Sequence, residues 1–153
     1  MRFSPILLMV MEASMSYAEI EHLLGPSAVM GGGDIDLEQA IHAAQERLPG
    51  RSFCVVDEWV WLDLDAPEVV IQGLSGEGKR PVMLLVLNAF FDSATAFKEI
   101  QPFRSTPLTE FSDGMFFQAQ NKLYVLTRQG RRKSMALSAV VRLSDPHKPG
   151  GRS

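Results

Sequence analysis

The chain has 153 residues and a formal net charge of −3 at pH 7, which excludes a general electrostatic attraction to nucleic acids or anionic membranes. Its 46% hydrophobic and 22% charged residues are ordinary for a globular protein, and a domain of this length buries about two-thirds of its unfolded surface. No apolar run approaches the roughly 20 residues needed to cross a bilayer. We therefore predict one domain at 16–144, between a loosely ordered extension at 1–15 and a disordered tail at 145–153.

Charge is distributed unevenly along the chain. Acidic residues dominate up to Asp65, whereas from Lys122 onward Asp145 is the only acidic residue among eight basic ones. Such a chain can bind a partner through one face, or self-associate between opposite charge patches. Cys54 is the only cysteine, which excludes an intrachain disulfide and is typical of the reducing cytoplasm.

The first predicted helix begins at Ser16, which forms a capping-box pattern with Glu19, and it ends at Gly25. A glycine triplet follows at 31–33. No predicted strand precedes the triplet, no Gly-Lys-Ser/Thr follows it, and Asp34 stands where a phosphate would bind. We therefore interpret the triplet as a flexible connector.

The clearest helical pattern begins at Asp36, a capping residue with Gln39 three positions later, and ends before Pro49. Its apolar residues share one face at helical spacing: Leu37, Ala40, Ile41, Ala44 and Leu48. His42 and Glu46 lie four apart on the outer side, but a metal site needs three or four ligands. We predict that both side chains are solvated.

Residues 51–65, RSFCVVDEWVWLDLD, alternate with the period of a β-strand. The pattern predicts one bent strand, or two strands meeting near Asp57 and Glu58, with both faces largely covered. Trp59 and Trp61 fall on the same predicted face. Either the two rings anchor the helix against the sheet, since such rings bury a large area, or they form part of a binding patch.

The binding interpretation combines Trp59 and Trp61 with Asp63 and Asp65 in an acidic, aromatic patch that receives a basic partner. The carboxylates also raise the possibility of acid–base catalysis, but nothing in the sequence brings them together with His42. Cys54 lacks a base and an electropositive setting, as expected of an inert core thiol. We therefore predict no catalytic residue, no metal site and no cofactor.

Pro67 and Glu68 begin a third helical segment, since proline suits the first turn and an acidic residue complements the helix dipole. After a polar connector, the run VMLLVLNAFF at 82–91 is the most apolar of the chain and predicts a central strand. A buried helix of this length has the same periodicity, but Pro81 favours the strand. Residues 92–101 predict either a surface excursion, which could face a partner, or a short helical turn before Pro102.

Residues 103–143 predict a small antiparallel β unit. Pro107 marks an edge strand, the residues 112–114 form a first turn, and Gln129 with Gly130 forms a second. A strand then returns from residue 131 through RRKSMAL and ends in the apolar segment AVVRL at 139–143. The second turn gives a basic hairpin at 128–133, whose predicted binding residues are Arg128, Arg131, Arg132 and Lys133.

Together these elements predict an α+β fold. Two or three N-terminal or peripheral helices pack on a mostly antiparallel sheet that is strongly curved or forms a small partial barrel. The acidic stretch at 57–65 and the basic hairpin at 128–133 are the two surfaces expected to carry function.

The pattern RSTPL…QNKLYVL…GRRK resembles a family of small uncharacterised bacterial and prophage-type proteins. In those proteins an Arg-Thr-Ser-Pro-like strand precedes a Thr-x-Asn-x-x-Tyr-x-Leu strand and a basic hairpin. The matching residues here are Arg104, Ser105, Thr106, Pro107, Asn121, Tyr124, Leu126, Gly130, Arg131, Arg132 and Lys133. The resemblance implies an accessory protein from a mobile element, with no catalytic residue to carry over.

We expect a non-catalytic protein-binding accessory module, an inhibitor or modulator of a larger complex. One alternative is a nucleic-acid-binding protein that contacts phosphates through the basic hairpin at 128–133, with Tyr124 or Phe117 stacking on a base. The other is a small enzyme with an unrecognised acidic site, whose polar candidates are Asp57, Glu58, Asp63 and His42. A protein is the expected partner, with nucleic acid as the alternative and no membrane.

Overall fold

The computed structural model describes residues 25–93, 103–120 and 122–142, which contain eight strands and three helices. The strands are β1 (Ala28–Gly31), β2 (Phe53–Asp65), β3 (Val82–Asp92), β4 (Phe103–Arg104), β5 (Leu108–Ser112), β6 (Phe116–Ala119), β7 (Leu123–Leu126) and β8 (Gln129–Ala136). The helices are α1 (Leu37–Arg47), α2 (Glu68–Gly76) and α3 (Leu137–Val140). The predicted helix at Ser16, both predicted termini and most of the predicted excursion at 92–101 lie outside the described residues.

The described strands form one open, mixed sheet that is not a closed barrel, which gives an α+β architecture. The strand order is β1-β8-β2-β7-β6-β5, while β3 pairs with β2 and β4. Five of the described strand pairs are antiparallel, but β7 and β8 both run parallel to β2. These two strands lie end to end beside β2, and β3 follows its other edge.

The predicted turn at Gln129 and Gly130 was wrong, so the structure contains no basic hairpin at 128–133. The chain kinks between β7 and β8 but keeps its direction. At the kink, the backbone N–H and the hydroxyl of Thr127 both donate to the carbonyl of Val56, at 2.9 and 2.8 Å. Arg128 adopts the left-handed conformation, with φ of 61°. The chain therefore resumes pairing with β2 instead of folding back.

The central strand β2 confirms the prediction of one bent strand with both faces covered. Its register with β3 shifts repeatedly between Val55 and Trp59, around the predicted bend. A bulge adds a residue and reverses the alternation of side chains beyond it. Cys54 consequently shares a face and a core cluster with Trp59, although strict alternation would separate them.

The core is divided between the two faces of the sheet. One face holds a cluster formed by residues of β2 to β7, including both tryptophans and Cys54. On the other face, Ala40 and Ala44 of α1 pack on Phe53 and Val55 of β2. Trp59 and Trp61 therefore pack among strands, so the expectation that they anchor a helix was wrong. The strand bulge explains the error, because Trp59 no longer shares a face with Phe53.

The glycine triplet is an ordered crossing point, which corrects the prediction of a flexible connector. Gly31 ends β1, an edge strand that the sequence did not predict. The Gly32 N–H donates to the carbonyl of Arg128 at 2.6 Å, and the Gly33 N–H donates to that of Leu126 at 2.7 Å. A Cβ atom at Gly32 would lie 2.6 Å from the Leu126 oxygen. Glycine is required here because two backbones approach closely.

Several local predictions are confirmed. Asp36 and Gln39 form the predicted capping box of α1, β3 is a strand, and the turn predicted at 112–114 is present at 113–115, between β5 and β6. The predicted final strand is confirmed as a strand only at 131–136, within β8, because residues 137–140 form α3. Among the described residues, no helix combines the length and the apolar character needed to cross a membrane.

Candidate functional site

The structure places the two predicted binding stretches side by side. Strand β8 pairs in parallel with the second half of β2, so that Trp61 lies opposite Arg132 and Asp63 opposite Ser134. The acidic stretch and the basic stretch therefore contact each other within one chain. Part of the charge that was predicted to bind a partner is therefore paired within the chain.

Arg132, Asp63 and Trp61 form a compact polar cluster. The Nε and Nη2 atoms of Arg132 donate to the two carboxylate oxygens of Asp63 at 2.8 and 3.1 Å. The Arg132 guanidinium also lies 5.3 Å from the centre of the Trp61 ring, whose Nε1 donates to Asp63 at 3.1 Å. The hydrogen bond to Asp63 raises the pKa of Arg132 above its ordinary value, with desolvation opposing it and the Asp63 charge contributing further.

The two tryptophans are buried, at 1% exposure for Trp59 and 6% for Trp61. The indole N–H of Trp59 donates to the Thr127 carbonyl at 2.9 Å, and Trp61 stacks edge-on against Phe111 and Phe117. A partner could therefore contact the residues that cover these rings, but hardly the rings themselves. Their predicted role in binding stays a prediction.

The predicted basic residues are distributed over both faces of β8 and the kink before it. Arg131 and Lys133 share one face, whereas Arg132 lies on the other beside Trp61. Arg128 is exposed and places its guanidinium 5.4 Å from the centre of the Phe90 ring. A continuous row of four cations is absent from this part of the structure, because adjacent residues of a strand alternate in direction. Asp65, the remaining predicted binding residue, is exposed where β2 ends.

Strand β1 brings an exposed apolar side chain next to the cationic face of β8. Val29 lies directly opposite Arg131, and its side chain is 70% exposed. Residues opposite each other in an antiparallel pair project from the same face. We call the surface formed by Val29, Arg131 and Lys133 the edge surface. Nothing in the sequence alone identified it, because β1 has no alternating pattern.

The residues considered for catalysis do not form a common site. The His42 Nδ1 atom lies 3.8 Å from a carboxylate oxygen of Glu46 on the exposed side of α1, as predicted. Asp57 accepts a hydrogen bond of 2.7 Å from Asn88, while Asp63 is engaged by Arg132. The described residues contain no group of three or more His, Cys, Asp or Glu side chains that could hold a metal ion.

One buried ion pair was missed by sequence reasoning. The Lys122 Nζ atom lies 2.7 Å from a carboxylate oxygen of Asp92, and these side chains are only 12% and 6% exposed. The partners lie 30 residues apart, so no local spacing signals their contact. The pair joins the end of β3 to the start of β7 and is therefore structural in character.

We expect Arg132→Gln to lower the free energy of unfolding by less than about 1 kcal/mol, because its ion pair with Asp63 is solvent-accessible. The Arg132 side chain is 52% exposed. Urea denaturation followed by tryptophan fluorescence measures the change. Arg142→Gln supplies the matched control for charge, and a loss above about 2 kcal/mol for Arg132→Gln alone would show that the Asp63 cluster organises the fold.

Comparison with known families gives one match. The family model described as Domain of unknown function (DUF6957) matches residues 31–142, which span α1, α2, α3 and the whole of β2 to β8. Neither the search of curated proteins nor that of solved structures finds a match to the chain. The match agrees with the expectation of an uncharacterised family. Because the model covers most of the sequence, the chain belongs to the family defined by Domain of unknown function (DUF6957).

Proposed function

We propose that the protein is a non-catalytic protein-binding module that modulates a larger complex. The observation that carries the proposal is the edge surface, where Val29 stands 70% exposed on an edge strand beside a basic strand. Among the described residues, β1 pairs only with β8. An apolar side chain with cations beside it and an unpaired strand edge is typical of a surface that receives another protein.

The charge arrangement supports the same proposal. Arg132 pairs with Asp63, and Arg131 and Lys133 lie on the opposite face of β8, where Val29 is directly opposite Arg131. A cation beside an exposed valine favours a mixed apolar and acidic partner over a bare phosphate backbone, because an ion pair with Lys133 gains from the desolvation that an apolar contact provides. The proposal keeps the binding role that the sequence predicted for Arg131 and Lys133, but these residues lie on a strand and not on a hairpin.

The cellular setting is part of the proposal. A single cysteine, Cys54, is buried with no measurable exposure, which fits a cytoplasmic protein that needs no disulfide. The resemblance of the motifs at 104–107 and 130–133 to prophage-type proteins supports a bacterial mobile element as the source. An inhibitor or modulator of a host complex is the role that suits such a source.

Site-specific photo-crosslinking in the source cells tests the proposal. A benzophenone amino acid at Val29 should give a discrete adduct with another protein. The same group at Val69 should not, although Val69 is equally accessible at 75% exposure on α2. Both variants replace a valine with the same benzophenone amino acid. The comparison therefore separates a specific contact from general surface labelling.

Neutralising the cations of the edge surface completes the test of protein binding. Arg131→Gln with Lys133→Gln should reduce the Val29 adduct about tenfold, whereas Arg80→Gln with Arg142→Gln removes the same charge elsewhere and should leave it unchanged. Equal labelling at Val29 and Val69, or no adduct at either, would contradict the proposal. Recovery of nucleic acid at Val29, with steep salt dependence, would instead support the alternative of nucleic-acid binding.

A further inference from the structure

Among the strands that the structure describes, β1 has a neighbour on one side only, and the groups that point to its other side follow from its pairing with β8. The Gly32 N–H donates to the Arg128 carbonyl, next to the pairs of Gly31 with Gln129 and Met30 with Gly130. Inter-strand bonds alternate along an antiparallel strand, so alternate residues bond to the partner. The backbone of Met30 therefore bonds to β8, as that of Gly32 does. The N–H and C=O groups of Val29 point away from β8, and so does the N–H of Gly31.

This edge carries none of the chemical groups that usually prevent strand addition. Edge strands are commonly protected by charged side chains, proline or bulges. Strand β1 reads AVMG and has neither charge nor proline, and its register with β8 is regular. Its shortness limits the number of backbone bonds it can offer. A bound strand would therefore need side-chain contacts in addition to backbone bonds.

Lys133 provides a charge at the point where such a strand would begin. Its Nζ atom donates to the carbonyl of Pro26 at 3.1 Å, which places the ammonium group across the start of β1. One bond to a neutral carbonyl leaves the positive charge of the ammonium uncompensated by that partner. A carboxylate on an added strand would meet this charge, whereas a lysine there would be repelled.

We infer that an extended acidic segment of a partner protein adds to the sheet as a strand beside β1. The inference rests on the proposed protein-binding function and specifies how the partner binds. Backbone groups of the segment pair with Val29 and Gly31, an apolar residue packs on the Val29 side chain, and an acidic residue faces Lys133. A second copy of the chain fits less well, because its own AVMG strand has no carboxylate for Lys133.

Selection from a library of random 12-residue peptides displayed on phage, with the full chain as bait, tests the inference. The enriched peptides should combine acidic residues with alternating β-branched or aromatic ones. A labelled enriched peptide then serves as the probe in fluorescence anisotropy. Val29→Pro removes one outward N–H without removing a bond to β8, and it should weaken peptide binding about tenfold.

Controls separate the edge from the rest of the surface. Lys133→Gln should weaken peptide binding severalfold and flatten its salt dependence, while Arg142→Gln should do neither. Hydrogen exchange on the unmodified chain is independent of any substitution, and the peptide should slow exchange of the Val29 and Gly31 amides. Unchanged binding by Val29→Pro, protection at a different strand, or enrichment of basic peptides would overturn the inference.

The outcomes also distinguish the inference from the proposed function. A specific photo-adduct at Val29 without peptide protection of β1 would leave protein binding standing and would refute strand addition. Absence of both would refute both. If the β1 amides exchange more slowly at higher concentrations of the chain without any peptide, the occupant is a second copy of the chain. This result also overturns the inference.

Discussion

Gly130→Ala is expected to lower the free energy of unfolding by about 3 kcal/mol, at the upper end of the range for overpacked cores. Gly130 is buried against Trp59, and an added Cβ atom would overlap three atoms of the indole ring. The ring is 1% exposed and its N–H is bonded to the Thr127 carbonyl, so it cannot move aside without losing that bond. Chemical denaturation monitored by near-UV circular dichroism measures the loss.

Gly73→Ala is the matched control for this substitution. Gly73 lies in α2, and an added Cβ atom there would have no neighbour within 4 Å. Alanine in a helix should therefore stabilise the chain by about 0.5–1 kcal/mol. Combining Gly130→Ala with Trp59→Phe should cost less than the sum of the single changes, because the smaller ring relieves the overlap. Additive losses would show that Trp59 does not pack on Gly130.

The elements that the sequence predicted well are those determined by neighbouring residues. The capping box at Asp36 and Gln39 depends on residues three positions apart, and the turn around Asp113 depends on a residue that tolerates positive φ. The strand β3 is identified by its own continuous apolar run. Such signals are local, so they do not depend on the structure that the rest of the chain adopts.

The incorrect predictions arise where distant segments decide the local structure. A glycine after a glutamine signals a turn in isolation, but Gly130 is needed because the Trp59 ring occupies the space of a side chain. The direction of β8 is set by its pairing with β2, about 70 residues earlier in the chain. Gly32 behaves in the same way at the crossing with the kink after β7. Glycine composition alone cannot distinguish a turn from a close approach.

The candidate site was only partly accessible to sequence reasoning for the same reason. Charge segregation predicted that the acidic and basic stretches bind a partner or another copy, whereas Asp63 and Arg132 pair with each other within the chain. Alternation along a strand separates Arg131 from Arg132, which a hairpin tip would have kept together. The edge surface depends on β1, whose four residues carry no pattern of their own.

Lys122→Met is expected to lower the free energy of unfolding by about 3 kcal/mol, because it leaves the carboxylate of Asp92 buried beside an uncharged side chain. The Asp92 side chain is 6% exposed, so water cannot replace the lost ammonium group. The pair lies where β3 and β7 flank the first residues of β2. Its loss should therefore expose this end of the sheet first, as faster amide exchange around Phe53.

Two controls identify the buried charge as the cause. Lys79→Met removes a lysine that lies 3.0 Å from Glu77, but the Glu77 side chain is 65% exposed and stays hydrated, so the expected loss is below about 1 kcal/mol. Adding Asp92→Asn to Lys122→Met should restore a substantial part of the stability, since the double variant no longer buries the Asp92 carboxylate without the Lys122 ammonium group. If the double variant is less stable than Lys122→Met alone, packing of the lysine stem and not its charge holds this end of the sheet together.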